Sequence, residues 1–390
     1  MTEPKGLWAA ADVTTTTLGV GVDIPAEPVK VRLAGPDVTR AIALIGVVVM
    51  NYHGYLNGSL DESDRTFVGR VFDPFLGPLS TRFAATFVTV AGIGISLLTN
   101  RSRVAHDRRA ISEDRWRLLR RGLLLYAFGL LIEWIWNGTI LFFYGAFFMV
   151  GSIIFPLRTR WLALVGTFSA LIGAGVQWWQ FEHGSTGHYT GWLDPEVDSP
   201  RNLLLRTFLG YTHPLFPWLA FLCVGMILGR HLTHLAAWRV RLALVGSALT
   251  ASTYLIHHLA TPQGLSVADA RWQLLLSTDP FDRGLLYTIG TIGTSLVAFC
   301  TISWVADRYP DALVTTTFRH AGQMTLTLYV AHIFVFNGVV HWLGWVQPTG
   351  LDTALVFSLV FWICAITFGS IWHRAFGGGP LERLYRGFGG

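Results

Sequence analysis

Apolar runs of 16 to 22 residues alternate with short polar segments from residue 38 to residue 373. At 1.5 Å per residue, such a run as a helix covers most or all of the ~30 Å hydrocarbon core of a bilayer. The pattern predicts ten spans, at about 38–57, 82–99, 118–136, 140–157, 161–180, 214–229, 241–259, 284–305, 324–345 and 353–373. The predicted turns at Asn137–Thr139 and Arg158–Arg160 are tight, so their flanking helices are expected to be neighbours. Leu203 to Leu209 reads as an interfacial or re-entrant helix, and the segment before Arg283 as holding a short amphipathic one. Gly54 is expected to end the first helix, and Gly92 and Gly94 to permit close helix contact. The fold class is all-α, a polytopic integral membrane protein of about ten transmembrane helices. Residues 1–31 read as a disordered cytoplasmic tail, 32–376 as the membrane domain and 377–390 as a cytoplasmic C-terminal tail.

Composition agrees with that pattern. Hydrophobic residues are 52% and charged residues 14%, with a mean hydropathy of +0.46. A soluble domain averages about 25% charged, so this chain cannot cover a soluble surface. The net charge of +5 comes from short arginine-rich segments beside apolar spans and is no nucleic-acid signal. With the N-terminus inside, the inner segments hold 21 Lys/Arg and the outer loops six, counting neither Arg40 nor Arg82. That bias predicts both termini in the cytoplasm. The three cysteines lie in apolar runs and imply no disulfide framework. The 27 arginines against two lysines suggest a bacterial genome, and the expected location is the bacterial plasma (inner) membrane.

Polar residues inside these spans are the candidates for chemistry, because such groups are costly in lipid and usually face a protein interior. The first span carries Asp37 and Arg40 at its inner end and Asn51 and His53 at its outer end. Arg40 and Asn51 fall about 20° apart on one helical face. Arg40 is available to an anionic ligand from the cytoplasm; its plainer reading is a snorkelling topology residue, with Asp37 as N-cap. His53 suits a general base, or an interfacial histidine bonded to a loop. In the ninth span, Thr325, Tyr329 and His332 recur at i, i+4, i+7 and make a polar stripe. His332 should lie well inside the bilayer, as a base or as a packed, hydrogen-bonded side chain. Glu133, near the outer end of the third span, reads as an acid or base in the cavity or as an interface residue, and His213 marks an outer helix entry. No phosphate-binding GxxxxGK[ST] loop, HExxH, CxxC or GxSxG occurs, so no metal site is expected.

These residues also form an ordered set. DVTRAIALIGVVVMNYH resembles the opening span of the heparan-α-glucosaminide N-acetyltransferase-like proteins and their bacterial YeiB-type relatives. Asp37, Arg40, Ala43 and Asn51 match that family's opening, Asp-x-x-Arg-Gly-x-Ala followed by an apolar run and then Asn or His, with Ala41 in place of Gly. FAATFVTVAGIGISLLTNR, HPLFPWLAFLCVGMILGR, AGQMTLTLYVAHIFVF and GGGPLERLYR resemble later segments in the same order, from about residue 32 to 386. The resemblance implies acetyl-CoA bound from the cytoplasm and an acyl group passed to a far-side acceptor. It implies an Asn and a His near the non-cytoplasmic end. Asn51 matches the first, and His53 is the nearest candidate for the second. Together these readings predict an acyl-CoA-dependent transmembrane acyltransferase without a metal. Asn51, His53 and His332 are its candidate catalytic residues. Arg40, Asp37, Tyr329 and Thr325 would line the donor path. The expected acceptor is an extracytoplasmic hydroxyl or amine, most plausibly on a cell-envelope glycan or glycolipid. Membrane lipid is an expected partner, nucleic acid is not, and homo-oligomerisation is left open. The alternatives are a transporter or flippase for an envelope precursor, using the same polar groups without bond chemistry, or a scaffold.

Overall fold

The computed structural model describes residues 33–56, 67–190, 200–210, 212–347 and 349–389. The predicted N-terminal tail lies outside them. All regular secondary structure among the described residues is helical. The chain runs α1 (Ala34–Leu56), α2 (Phe67–Val71), α3 (Arg82–Leu98), α4 (Asn100–Ala105), α5 (Arg108–Glu133) and α6 (Leu141–Ile154). It continues through α7 (Thr159–Ser185), α8 (Pro200–Phe208), α9 (Leu215–Arg230), α10 (Leu235–Ala260) and α11 (Val267–Leu275). It closes with α12 (Leu285–Arg308), α13 (Leu313–Gly322), α14 (Thr325–Phe336), α15 (Leu351–Phe376) and α16 (Pro380–Gly389). A π-helical turn, Asn337–Trp342, extends α14. Among the described residues, six helices are long and apolar enough to cross a membrane: α1, α7, α10 with the turn that precedes it from Leu232, α12, α14 with its π-helical turn, and α15. Of the shorter apolar helices, α3 packs on α1 and α12, α9 on α7, and α6 on α5. The protein is an all-α polytopic membrane protein.

α1 is the central element. It touches α3, α12, α13, α14 and α15, and Leu44, Val48, Tyr52 and Leu56 form one fully buried stripe at four-residue steps. Lipid tails are as apolar as leucine, so shape and close backbone approach hold such helices together. Gly92 and Gly225 are where α3 and α9 cross. A Cβ on either would collide with the other helix's backbone. Gly94 serves differently, leaving room beside the Arg40 guanidinium.

Several boundaries differ from the sequence reading. Gly54 does not end α1, which runs on to Leu56. The arginine-rich segment before the third span is helical. Asp107 caps α5 by accepting from the Arg109 and Ala110 amides, and Arg109–Glu113 and Arg117–Asp114 pairs support its polar turns. Phe216 is non-helical, so regular α9 geometry starts at Pro217, where a missing N–H costs nothing. The amphipathic helix before Arg283 is α11, opened by a Ser266/Asp269 capping box. The C-terminal residues form α16, which docks on α5 and α14. Glu382 anchors it, accepting from the Leu326 and Thr327 amides at 2.6 and 3.1 Å and from the Thr327 hydroxyl at 2.6 Å.

Candidate functional site

The outer stripe residues of α1 and α14 meet. Asn51 Nδ2 lies 3.3 Å from His332 Nε2. His332 Nδ1 is bonded to the Tyr329 carbonyl oxygen. A carbonyl only accepts, so Nδ1 carries the proton and Nε2 is left as the acceptor for the Asn51 amide. The Tyr52 hydroxyl donates to the His332 carbonyl at 2.9 Å, which fixes the backbone beneath the ring. Edges of Trp136 and Tyr329 flank the imidazole at centroid distances of 5.3 and 4.8 Å. His332 itself is fully buried.

Tyr329 points the other way along the same face. Its hydroxyl accepts from the Ile140 amide at 3.1 Å and lies 3.2 Å from the Thr139 hydroxyl. It thereby ties α14 to the tight 137–139 turn. Asn51 and Tyr329 line a cavity of about 340 Å³ together with Tyr55, Thr81, Trp136 and His213. His332 stands one side chain behind that wall, screened by Asn51.

His53 is placed elsewhere. It is buried, and its Nδ1 donates to the Phe72 carbonyl in the segment after α2. It is not among the residues lining the cavity. The cavity's own histidine is His213, which the sequence suggested only as a helix-start marker. His213 lies 4.5 Å from Trp218 and 6.0 Å from Phe143, centroid to centroid, and its Nδ1 has no hydrogen-bond partner. Burial, and then the Arg283 charge, lowers its pKa to about 3, so it is neutral at physiological pH. A His-Pro dipeptide before a helix reads as punctuation, and nothing in the sequence brings it to Asn51. Glu133 pairs with Arg206 of α8 rather than facing the cavity.

At the other end of α1, about 16 Å away by helix rise, the remaining candidates divide. Arg40 lies 3.7 Å from Asp37 and 3.5 Å from the Gly322 carbonyl. Gln323 donates to Asp37 at 3.0 Å. Thr325 is buried at the first turn of α14 and lines no part of the cavity. Two phenols lie within electrostatic reach of Arg40, Tyr144 of α6 and Tyr385 of α16. Both hydroxyls are buried without a hydrogen-bond partner. Arg121 packs over the Tyr385 ring at 5.3 Å. Among the described residues, no group of three His, Cys, Asp or Glu side chains is placed to hold a metal ion.

Residues 32–259 match the family model described as heparan-alpha-glucosaminide N-acetyltransferase, catalytic. That is more than half of the 390-residue chain. The chain belongs to this acetyltransferase family. Residues 230–388 match a second model, that of the YeiB-type family, described as protein of unknown function (DUF418). A search of curated proteins finds no match to the chain. The acetyltransferase match contains α1 with Arg40 and Asn51, while His332 and Glu382 fall within the second match. The Asn51–His332 contact therefore joins the two matched regions.

Proposed function

We propose that this membrane acetyltransferase-family protein moves an acyl group, an acetyl group for choice, from cytoplasmic acyl-CoA to an acceptor hydroxyl or amine across the membrane. The observation that carries this reading is the Asn51–His332 hydrogen bond behind the cavity wall. It puts an unprotonated imidazole nitrogen, in a fixed tautomer, one side-chain rotation from the cavity. The donor approaches from the Arg40 end. There the guanidinium suits phosphate or pyrophosphate oxygens, and the unsatisfied hydroxyls of Tyr144 and Tyr385 suit the amides of a pantetheine arm. The acceptor occupies the 340 Å³ cavity, whose lining includes the packed pair Tyr55 and Trp136.

In this reading Asn51 turns aside as the acceptor arrives. His332 Nε2 takes the acceptor's proton while the acceptor oxygen or nitrogen bonds the acyl carbon. The carbon–sulfur bond breaks, and the proton leaves with the CoA thiolate. The Tyr329 carbonyl, fixed on Nδ1–H, steadies the imidazolium between the two transfers. His53, held on Phe72, positions the segment after α2, and His213 offers a neutral Nδ1 as a hydrogen-bond acceptor. An envelope glycan or glycolipid remains the preferred acceptor, because the cavity is small, aromatic and at the far end from Arg40.

The test is turnover of purified protein with labelled acetyl-CoA. Loss of a general base typically costs 10²–10⁴-fold. His332→Ala should show a loss of that size while still binding acetyl-CoA. His53→Ala should keep most turnover. If His332→Ala turned over normally and His53→Ala did not, the base would be His53. If the wild type bound no acyl-CoA, a flippase would be the better account.

A further inference from the structure

Arg82 opens α3 with its side chain buried in the protein, only 6% exposed. The guanidinium packs on the Tyr287 ring, 4.8 Å from its centroid. Nη2 reaches the Tyr254 hydroxyl at a long 3.4 Å. Nε and Nη1 have no hydrogen-bond partner. A guanidinium keeps its charge in a protein. Leaving its donors buried and unmade therefore carries the full desolvation penalty. Other arginines also leave a buried Nε unmade, but Arg206, Arg239 and Arg271 each have a carboxylate partner, Glu133, Asp307 and Glu182, and Arg82 has none among the described residues. Asp279 lies within electrostatic reach of Arg82 yet forms no ion pair with it.

The surroundings add positive potential. Thr81 gives α3 no side-chain cap, so the first amides of the helix add their partial charge beside the guanidinium. Thr81, Phe83 and Ala84 line the cavity beside Asn51, and Arg82 does not. At 100° per residue it points to the opposite side, towards α10 and α12. Most side chains of α10, which supplies Tyr254, are exposed on the outside of the bundle.

We propose that Arg82, with Tyr254 and Tyr287, binds a phosphate group at the α3–α10–α12 junction, separately from the acceptor cavity. Phosphate offers several acceptor oxygens, enough for the N–H groups of the two idle nitrogens and the Tyr254 hydroxyl together. Tyr254 is half-buried on α10, whose outward face is exposed, so a lipid headgroup would reach the guanidinium from that side by displacing the side chains that cover it, and a soluble phosphate has the same chemistry. The site does not depend on the acyl-transfer reading, and neither fails with the other.

The experiment is thermal unfolding of the purified protein in detergent micelles doped with phosphatidylglycerol, with diacylglycerol, or with neither, and separately with inorganic phosphate at matched ionic strength. Phosphatidylglycerol should raise the wild-type midpoint by a few degrees over diacylglycerol, and Arg82→Gln should lose most of that shift. Native mass spectrometry should show phosphatidylglycerol retained by the wild type and lost from the variant. An equal rise with inorganic phosphate alone would support the site and identify a soluble phosphate as its source. If Arg82→Gln does not fold, Tyr254→Phe keeps the charge and should weaken the response several-fold. The proposal is overturned if no phosphate probe stabilises the wild type. It is also overturned if the variants respond as the wild type does, or if Asp279→Asn alone reproduces the behaviour of Arg82→Gln.

Discussion

At the residue scale, three histidines show how little a side chain's identity says before its partners are known. His332 donates through Nδ1 and is screened at Nε2 by Asn51. His53, two residues from Asn51, spends its Nδ1 on a loop carbonyl. His213 faces the cavity with Nδ1 unpartnered. A fourth, His320, gives a pH test outside the predicted spans. It stacks on His373 at 4.1 Å, near Arg319 and Arg374. Burial, and then those positive neighbours, lowers its pKa below the ordinary histidine value. The unfolded chain therefore binds a proton first as pH falls. His320 has no effect on stability well above pH ~6.5 and lowers stability as pH drops below it. We expect the unfolding midpoint to decline less steeply from pH 7 to pH 5 in His320→Gln than in the wild type. Parallel pH profiles would show that His320 is not the titrating group.

At the element scale, α14 links the two ends of the proposed reaction path. Its first amides bind Glu382 and its third turn places His332 against Asn51. Glu382→Ala leaves two buried amides and a hydroxyl without their acceptor. A charged hydrogen bond is worth about 1.5–3 kcal/mol, so a destabilisation of about 2 kcal/mol is expected in chemical unfolding. Turnover should fall as well, with acetyl-CoA binding weakened because α16 also carries Tyr385. A variant with wild-type stability would mean that the C-terminal helix merely rests on the bundle. Much of α14 was legible beforehand: Tyr329 and His332 are conspicuous in an apolar run, and their spacing puts them on one face. The same contrast marked Asn51. What sequence did not supply was the partner. Thr325 belongs to the same stripe by spacing, but it lies a turn too early to reach the cavity. The polar start of α5 escapes the hydrophobic pattern because its helix is held by a cap and local ion pairs, not by an apolar face. His213 and Tyr144 acquire meaning only from what folding brings beside them.

At the scale of the whole molecule, the account needs a direction across the membrane. The arginine bias predicts one, and the proposed path from Arg40 at one end of α1 to the cavity at the other is built on it. A C-terminal fusion to a reporter active only outside the cytoplasm should stay silent, and strong activity would reverse the topology. The central claim is that an acyl group crosses the membrane through the Asn51–His332 site. Inside-out vesicles supplied externally with acyl-labelled acetyl-CoA test it directly. Wild-type vesicles should release free CoA outside while label accumulates in the lumen on a trapped amine or hydroxyl acceptor, and His332→Ala vesicles should do neither. Label that remains outside on hydrolysed acetate, or that enters the lumen equally well with His332→Ala, would contradict it.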